Sequence, residues 1–218
     1  MREAATISVA AFVAGVSERD VNRIFDEGLL PAKLTGASRS LTPLGCVLAG
    51  FYFKEAPSLS ADLRKRVVSL LCQREKTLRT WAAFAPKRPS EWDVEMGTLS
   101  IHLAQYVQEA RSRQESLAKA EGLVVSDPNI FDGEPVFKGT RVPVRTIAAW
   151  VAEGIDRERI REAYPHISDE MVAAAPVWAK THPSRGRPRK FEKINPGWKL
   201  KSSSTRKLGE RAKKNDAA

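Results

Sequence analysis

Val136-Phe137-Lys138-Gly139-Thr140-Arg141-Val142-Pro143-Val144 reads as strand, glycine turn, strand, and it decides how the second half of this chain folds. Val136, Val142 and Val144 supply apolar strand faces on either side of the turn. Gly139 is expected at positive φ, where a side chain costs roughly 1 kcal/mol or more. Upstream, Leu123-Val124-Val125 reads as a short strand, followed by the turn-rich Ser126–Asn129 and Asp132–Pro135. Downstream, three short helices are predicted. Arg145–Glu153 ends at Gly154, Asp156–Tyr164 ends at Pro165, and Ser168–Lys180 ends at His182-Pro183. Asp156 and Ser168 are good N-cap residues.

The opening of the chain has a different rhythm. Ser8–Ala14 is predicted helical with Val9, Phe12 and Val13 inward, and Gly15-Val16 makes a tight turn. Ser17 then caps Glu18–Glu27, whose first-turn acids suit the helix dipole. Val21, Ile24 and Phe25 form its apolar stripe, which leaves Arg19, Asn22 and Arg23 outward. Gly28 ends that helix, a basic excursion follows over Lys33–Ser40, and Thr42-Pro43 starts another helix with cap and proline in the favoured order. Gly15-Val16-Ser17, Gly28-Leu29-Leu30-Pro31 and Arg39 before Thr42 resemble the N-terminal DNA-binding module of MerR-type regulators. Asn22, Arg23 and Ile24 stand where that family has an arginine and paired tyrosines. The resemblance implies a winged helix-turn-helix over 1–55, with Ser17, Arg19, Asn22, Arg23, Lys33 and Arg39 facing DNA. A small helical subdomain that binds no DNA is the alternative.

Residues 56–122 read as a helical or mixed connector. Ser60-Ala61-Asp62 caps a helix running to about Glu75, with Leu63, Val67, Leu70 and Leu71 on one face. Thr80–Phe84 and Trp92–His102 are expected to pair as strands around Pro86–Pro89. Leu103–Ala120 is a charged helix whose apolar positions are Leu103, Tyr106, Val107, Ala110 and Leu117, ended by Gly122.

Charge is distributed very unevenly. Thr181–Ala218 holds twelve basic and three acidic residues, hence +9 of the net +10 carried by all 218 residues. A segment so basic and so poor in apolar groups cannot offset its ordering entropy, and 183–218 is expected to be a disordered tail that orders on an acidic partner. The remainder is nearly neutral, and with 42% hydrophobic residues overall it can build real cores. Cys46 and Cys72 lie in apolar runs without a CxxC pair, which reads as buried reduced thiols and a cytoplasmic protein. No N-terminal signal pattern is evident, and the longest apolar run, Cys46–Phe53, is too short to span a bilayer.

Asp127-Pro128-Asn129-Ile130, followed by Gly133-Glu134-Pro135 and the Val136–Val144 run, resembles the signature of a small bacterial family once catalogued only as a domain of unknown function. That family is similar in role to VapB-type antitoxins and is typically encoded beside a PIN-like ribonuclease toxin. The resemblance implies a compact winged or homeodomain-like helical domain over 123–182 that dimerises by exchanging edge strands. Val124, Val125, Val136, Gly139, Thr140, Arg141 and Val142 are then the dimerisation and turn residues. The Arg-Gly-Arg-Pro start of the tail is also similar to the segment that succeeds this domain in such antitoxins.

Catalytic patterns are absent from the sequence. His102, His166 and His182 fall in different predicted elements without an i+3 or i+4 partner ligand. There is no P-loop, GxGxxG or GxSxG, and the acidic residues are scattered over helix faces. The expectation is a non-enzyme without metal or cofactor. In the tail, Arg185-Gly186-Arg187-Pro188 resembles an AT-hook core suited to a narrow minor groove. The same arginines, with Arg189 and Lys190, suit the carboxylate-lined cleft of a nuclease, with Phe191 and Trp198 as apolar anchors. A merely solubilising tail is the third possibility. The sequence is therefore expected to specify a mainly α protein with short β-strands. Its expected role is an antitoxin that binds a PIN-like toxin through the tail and represses its own operon at operator DNA, as a homodimer within a hetero-oligomer and without contact with a membrane. The alternative is a free-standing transcription regulator or nucleoid-associated protein.

Overall fold

Ser17 and Thr42 set the frame of the first fifty residues by closing two helix N-termini locally. The computed structural model of the protein describes residues 4–36, 38–74, 80–84 and 87–184. Helix α1, Ile7–Ala14, ends on left-handed Gly15 (φ 67°), and Ser17 starts α2, Glu18–Asp26. The Ser17 hydroxyl accepts the Asp20 amide at 3.1 Å while the Asp20 carboxylate accepts the Ser17 amide at 3.2 Å. This reciprocal pair satisfies two otherwise orphaned donors. Val21 and Ile24 are buried and Phe25 half-buried, as the apolar spacing requires. In α1 Val13 is buried as expected, together with Ala10, Ala11 and Ala14, while Val9 and Phe12 are half-buried against the same core.

Gly28 (φ 61°) reverses the chain, and a 3-10 turn over Ala32–Leu34 leads to a two-stranded hairpin, β1 Thr35–Gly36 and β2 Ser40–Leu41, in register Thr35 to Leu41. Thr42 caps α3, Pro43–Lys54, by accepting the Gly45 amide at 3.1 Å. Residues Pro43 to Tyr52 of α3 are all buried, and Gly50 allows it to pass the end of α1. A Cβ there would lie 2.8 Å from the Ala14 carbonyl.

Helix α4, Ala61–Arg74, buries Val67, Val68, Leu71 and Cys72. Val67 and Leu71 of the expected stripe are thus buried, and its other two members, Leu63 and Leu70, are half-buried. Arg64 turns inward because its guanidinium donates to the Tyr52 carbonyl at the end of α3 and lies 4.3 Å over the Tyr52 ring. The expected strand at Thr80–Phe84 is a 3-10 turn, Trp81–Phe84, because buried Phe84 stacks on Trp92 at 5.2 Å. The hairpin forms within the following segment alone, as β3 Asp93–Met96 and β4 Leu99–His102, around Gly97 (φ 63°).

Helix α5, Ala104–Gly122, packs on α1 and α3. Gly122 is its last residue rather than a left-handed stop, and Leu123 is the C-cap. Val124–Val125 (β5) pairs antiparallel with Val136–Phe137 (β6) of the same chain, Val124 opposite Phe137. Pro143 forms only an isolated bridge with Val136, and α6, Val144–Ala152, begins at once. The second expected strand is missing because Pro143 lacks the amide a ladder needs and its φ of −62° suits the entry to a helix. Helices α7, Arg157–Ala163, and α8, Asp169–Thr181, follow, and Ser168 caps α8 through the Met171 amide at 3.2 Å.

The result is mainly helical with three separate two-stranded antiparallel pairs among the described residues. Met1–Pro183 makes one compact unit with two buried clusters. The first gathers α1 to α5, and the second gathers β6, α6, α7 and α8. Helix α5 gives Tyr106, Val107, Ala110 and Leu117, with its N-cap residue Leu103, to the walls of the first cluster and contributes Ala120 to the second. Helix α8 packs on α5, α6 and α1, and Val177 borders both clusters.

Candidate functional site

The outward face of α2 carries Arg19, Asn22 and Arg23, three of the residues expected to meet DNA. Arg19 is exposed, and Asn22 donates from Nδ2 to the Glu18 carbonyl at 2.9 Å. Arg23 forms a bidentate pair with Glu27, at 2.7 and 3.2 Å, and its guanidinium lies 5.5 Å over the Phe53 ring. Each member of the pair favours the charged form of the other. The Arg23 hydrogen bond holds the Glu27 carboxyl below the usual carboxylate range, and Glu27 raises Arg23 above its ordinary value.

Arg39 extends from the hairpin back to the same helix. It donates to the Asn22 carbonyl at 3.1 Å and to the Asp26 carboxylate, and sits 5.3 Å over the Phe25 ring. Arg39 and neighbouring Ser38 both have left-handed backbone, φ 53° and 57°. Asn22, Arg23 and Arg39 are thus brought together along the second half of α2. Ser17 lies at its other end and is occupied as the N-cap. Lys33 turns away, donating to the Cys72 carbonyl of α4. The two carboxylates, Asp26 and Glu27, were not singled out from the sequence. For Glu27 the i,i+4 spacing from Arg23 was a readable signal, but nothing local announces the pairing of Asp26 with a residue thirteen positions on.

The Gly139-Thr140-Arg141 segment is a closed turn. Gly139 has φ 75°, the Phe137 carbonyl accepts both the amide and the hydroxyl of Thr140 at 3.0 Å, and the Thr140 hydroxyl accepts the Val142 amide at 3.1 Å. Val136 is fully buried, Val124 and Val142 are half-buried, and Arg141 is exposed. Val125 is 39% exposed on β5. Beside the turn, Val125, Asp127, Arg141, Tyr164 and His166 border an open groove of about 650 Å³. Phe131, 59% exposed, lies in the loop between β5 and β6 in a left-handed conformation with φ 47°.

His102 Nδ1 pairs with the Asp93 carboxylate at 2.9 Å, and His182 stacks flat on Trp178 with ring centroids 4.6 Å apart. Among the described residues no three His, Cys, Asp or Glu side chains cluster as a metal site. Both cysteines are buried and free, burial pushing the Cys46 thiol up to about 12 and raising Cys72 as well. No described helix is long and apolar enough to cross a membrane. Arg185, Arg187, Arg189, Lys190, Phe191 and Trp198 lie outside the described residues. Just before them, Arg145 donates to the His182 carbonyl at 2.6 Å and covers the Trp178 ring at 5.3 Å, which fixes the end of α8.

Residues 124–179 match a family described as "Protein of unknown function (DUF433)". Over 194 residues the chain is 37% identical to "Uncharacterized protein y4eO" of Sinorhizobium fredii (strain NBRC 101917 / NGR234), covering 87% of this chain and 86% of that protein. No solved structure matches.

Proposed function

The chain belongs to one family with the Sinorhizobium fredii protein y4eO, and we propose, from its own residues, that it is a DNA-binding antitoxin-type repressor. In this reading α1, the Gly15–Ser17 turn, α2 and the β1–β2 hairpin are a reading head, with the hairpin as its wing. The 123–182 domain dimerises, and the basic tail blocks a PIN-like ribonuclease encoded alongside. The observation that carries it is the outward face of α2. Val21 and Ile24 seat the helix in the core, while Arg19 and Asn22 lie on its polar side and Arg39 fixes the hairpin to it. A helix so presented, flanked by a hairpin, has the shape and polarity that major-groove reading requires. A dimer would present two such heads to a palindromic site.

The test has two arms. Arg19→Ala combined with Asn22→Ala should lose binding to the protein's own promoter fragment in a gel shift, while retaining the thermal transition of the parent. Deleting 184–218 should abolish co-purification with the product of the adjacent reading frame and leave the remainder folded. Full promoter affinity in the double variant would remove α2 as the reading head.

A second reading is favoured by one feature, Arg185-Gly186-Arg187-Pro188 at the head of the tail. There the protein is a free-standing regulator whose tail enters A·T minor grooves. It predicts that the tail deletion weakens binding to A·T-rich duplexes more than to G·C-rich ones, with no toxin partner to lose.

A further inference from the structure

Two carboxylates at the C-terminal end of α2 stand where helix energetics disfavours them. Asp26 is the last residue of the helix and Glu27 its C-cap, the end at which the helix dipole repels negative charge. Both are nevertheless engaged with cations, Asp26 with Arg39 and Glu27 with Arg23. All four side chains remain about half exposed, so neither pair is sealed from solvent. Each guanidinium also rests over an aromatic ring, Arg39 over Phe25 and Arg23 over Phe53, which fixes its position without using up its donors.

We propose that Asp26 and Glu27 are internal competitors for the DNA backbone, holding the Arg39 and Arg23 guanidinium groups in the places where duplex phosphates would take them over. The proposal rests on α2 being the reading head and concerns how that head is regulated. A carboxylate and a phosphate each present a pair of acceptor oxygens to an arginine fork, so one can replace the other without the arginine moving far. The exchange has a thermodynamic signature. A free arginine that meets a phosphate releases a condensed counterion from the duplex, adding about 0.9 to the slope of log K against log salt. An arginine that must first leave a carboxylate exposes that carboxylate, which recruits a cation from solution and cancels the gain. In the natural protein both arginines therefore contribute almost nothing to the salt slope, and non-specific binding by this face is held down. A base-reading contact from Arg19 or Asn22 is unaffected by the exchange, so the competition favours the correct sequence over random DNA.

The test uses the full-length protein and fluorescein-labelled duplexes, one carrying its promoter fragment and one of mixed sequence, titrated at several salt concentrations. Glu27→Gln and Asp26→Asn should each steepen the salt slope by about one and raise affinity for the mixed duplex several-fold. Adding Arg23→Gln to Glu27→Gln should return the slope to that of the parent, whereas Arg23→Gln alone should barely change it. Glu18→Gln removes a carboxylate from the same helix that neither guanidinium holds, and should leave the slope as it was. An unchanged slope in Glu27→Gln and Asp26→Asn, with binding still dependent on Arg19 and Asn22, overturns the competition and leaves the reading head standing. Binding that does not depend on Arg19 and Asn22 overturns both.

Discussion

The guanidinium of Arg113, on the long helix α5, lies directly against the left-handed Gly15 that separates the first two helices. A Cβ at position 15 would sit 2.6 Å from its Nη1. Arg113 also donates to the Val13 carbonyl at 3.4 Å and to Glu109 at 3.1 Å, so the turn that orients α2 is gripped from the other side of the core.

That contact makes positions 15 and 113 energetically coupled. Gly15→Ala should cost about 1 kcal/mol for the positive φ, and more because Arg113 must withdraw. In an Arg113→Ala background the same substitution should cost only the conformational part. A denaturant double-mutant cycle measures the difference, and strictly additive effects would show that the two do not touch in solution.

Because α5 lines one cluster with Leu117 and the next with Ala120, the two should unfold together. Leu117→Ala should destabilise by about 2–5 kcal/mol. It should lower the single thermal transition for near-ultraviolet signals from both Trp92, in the first cluster, and Trp178, in the second. Two separated transitions would contradict a shared core.

Gly139 has open space where a side chain would point, so a substitution there meets strain and no clash. Gly139→Val should lose roughly 1–3 kcal/mol, and Gly139→Asn distinctly less, since asparagine tolerates left-handed backbone. Equal losses for the two, measured by chemical denaturation, would point to a steric cause instead.

Glu109 is gripped by Lys54 first and by Arg113 second, and its carboxyl is held below the ordinary 4.5. A depressed folded value means that stability is fully present above the unfolded pKa and is lost as pH falls through the folded one. Denaturation midpoints taken from pH 6 down to pH 3 should therefore fall below about pH 4.5. Glu109→Gln should be less stable at neutral pH and show a flatter acid limb. Parallel acid limbs in the two proteins would exclude this ion-pair network as a source of acid sensitivity.

Ser17, Thr42 and Ser168 as caps, Gly28 as a helix end, Gly139 as a left-handed turn, and buried Leu103, Tyr106, Val107, Ala110 and Leu117 were legible in the sequence, whereas Ala120 was not. Each depends on groups within one helical turn or on a simple period, and such interactions form in the same way whatever the chain does elsewhere. Pro143 was equally local, and its helix-entry φ outweighed the valine pattern that suggested a strand. The tertiary structure alone turned Arg64 inward to a carbonyl of α3 and Lys33 away to α4. It also paired β5 with β6 in one chain and packed Phe84 on Trp92 in place of a strand. On α2 the sequence identified which side chains face outward, but not that Arg39 and Arg23 are already held by Asp26 and Glu27. The Arg23–Glu27 pair follows from i,i+4 spacing along one helix. A cation chooses among distant acceptors by distance in space, however, and the distance from Arg39 to Asp26 is set only when α2 and the hairpin share one core.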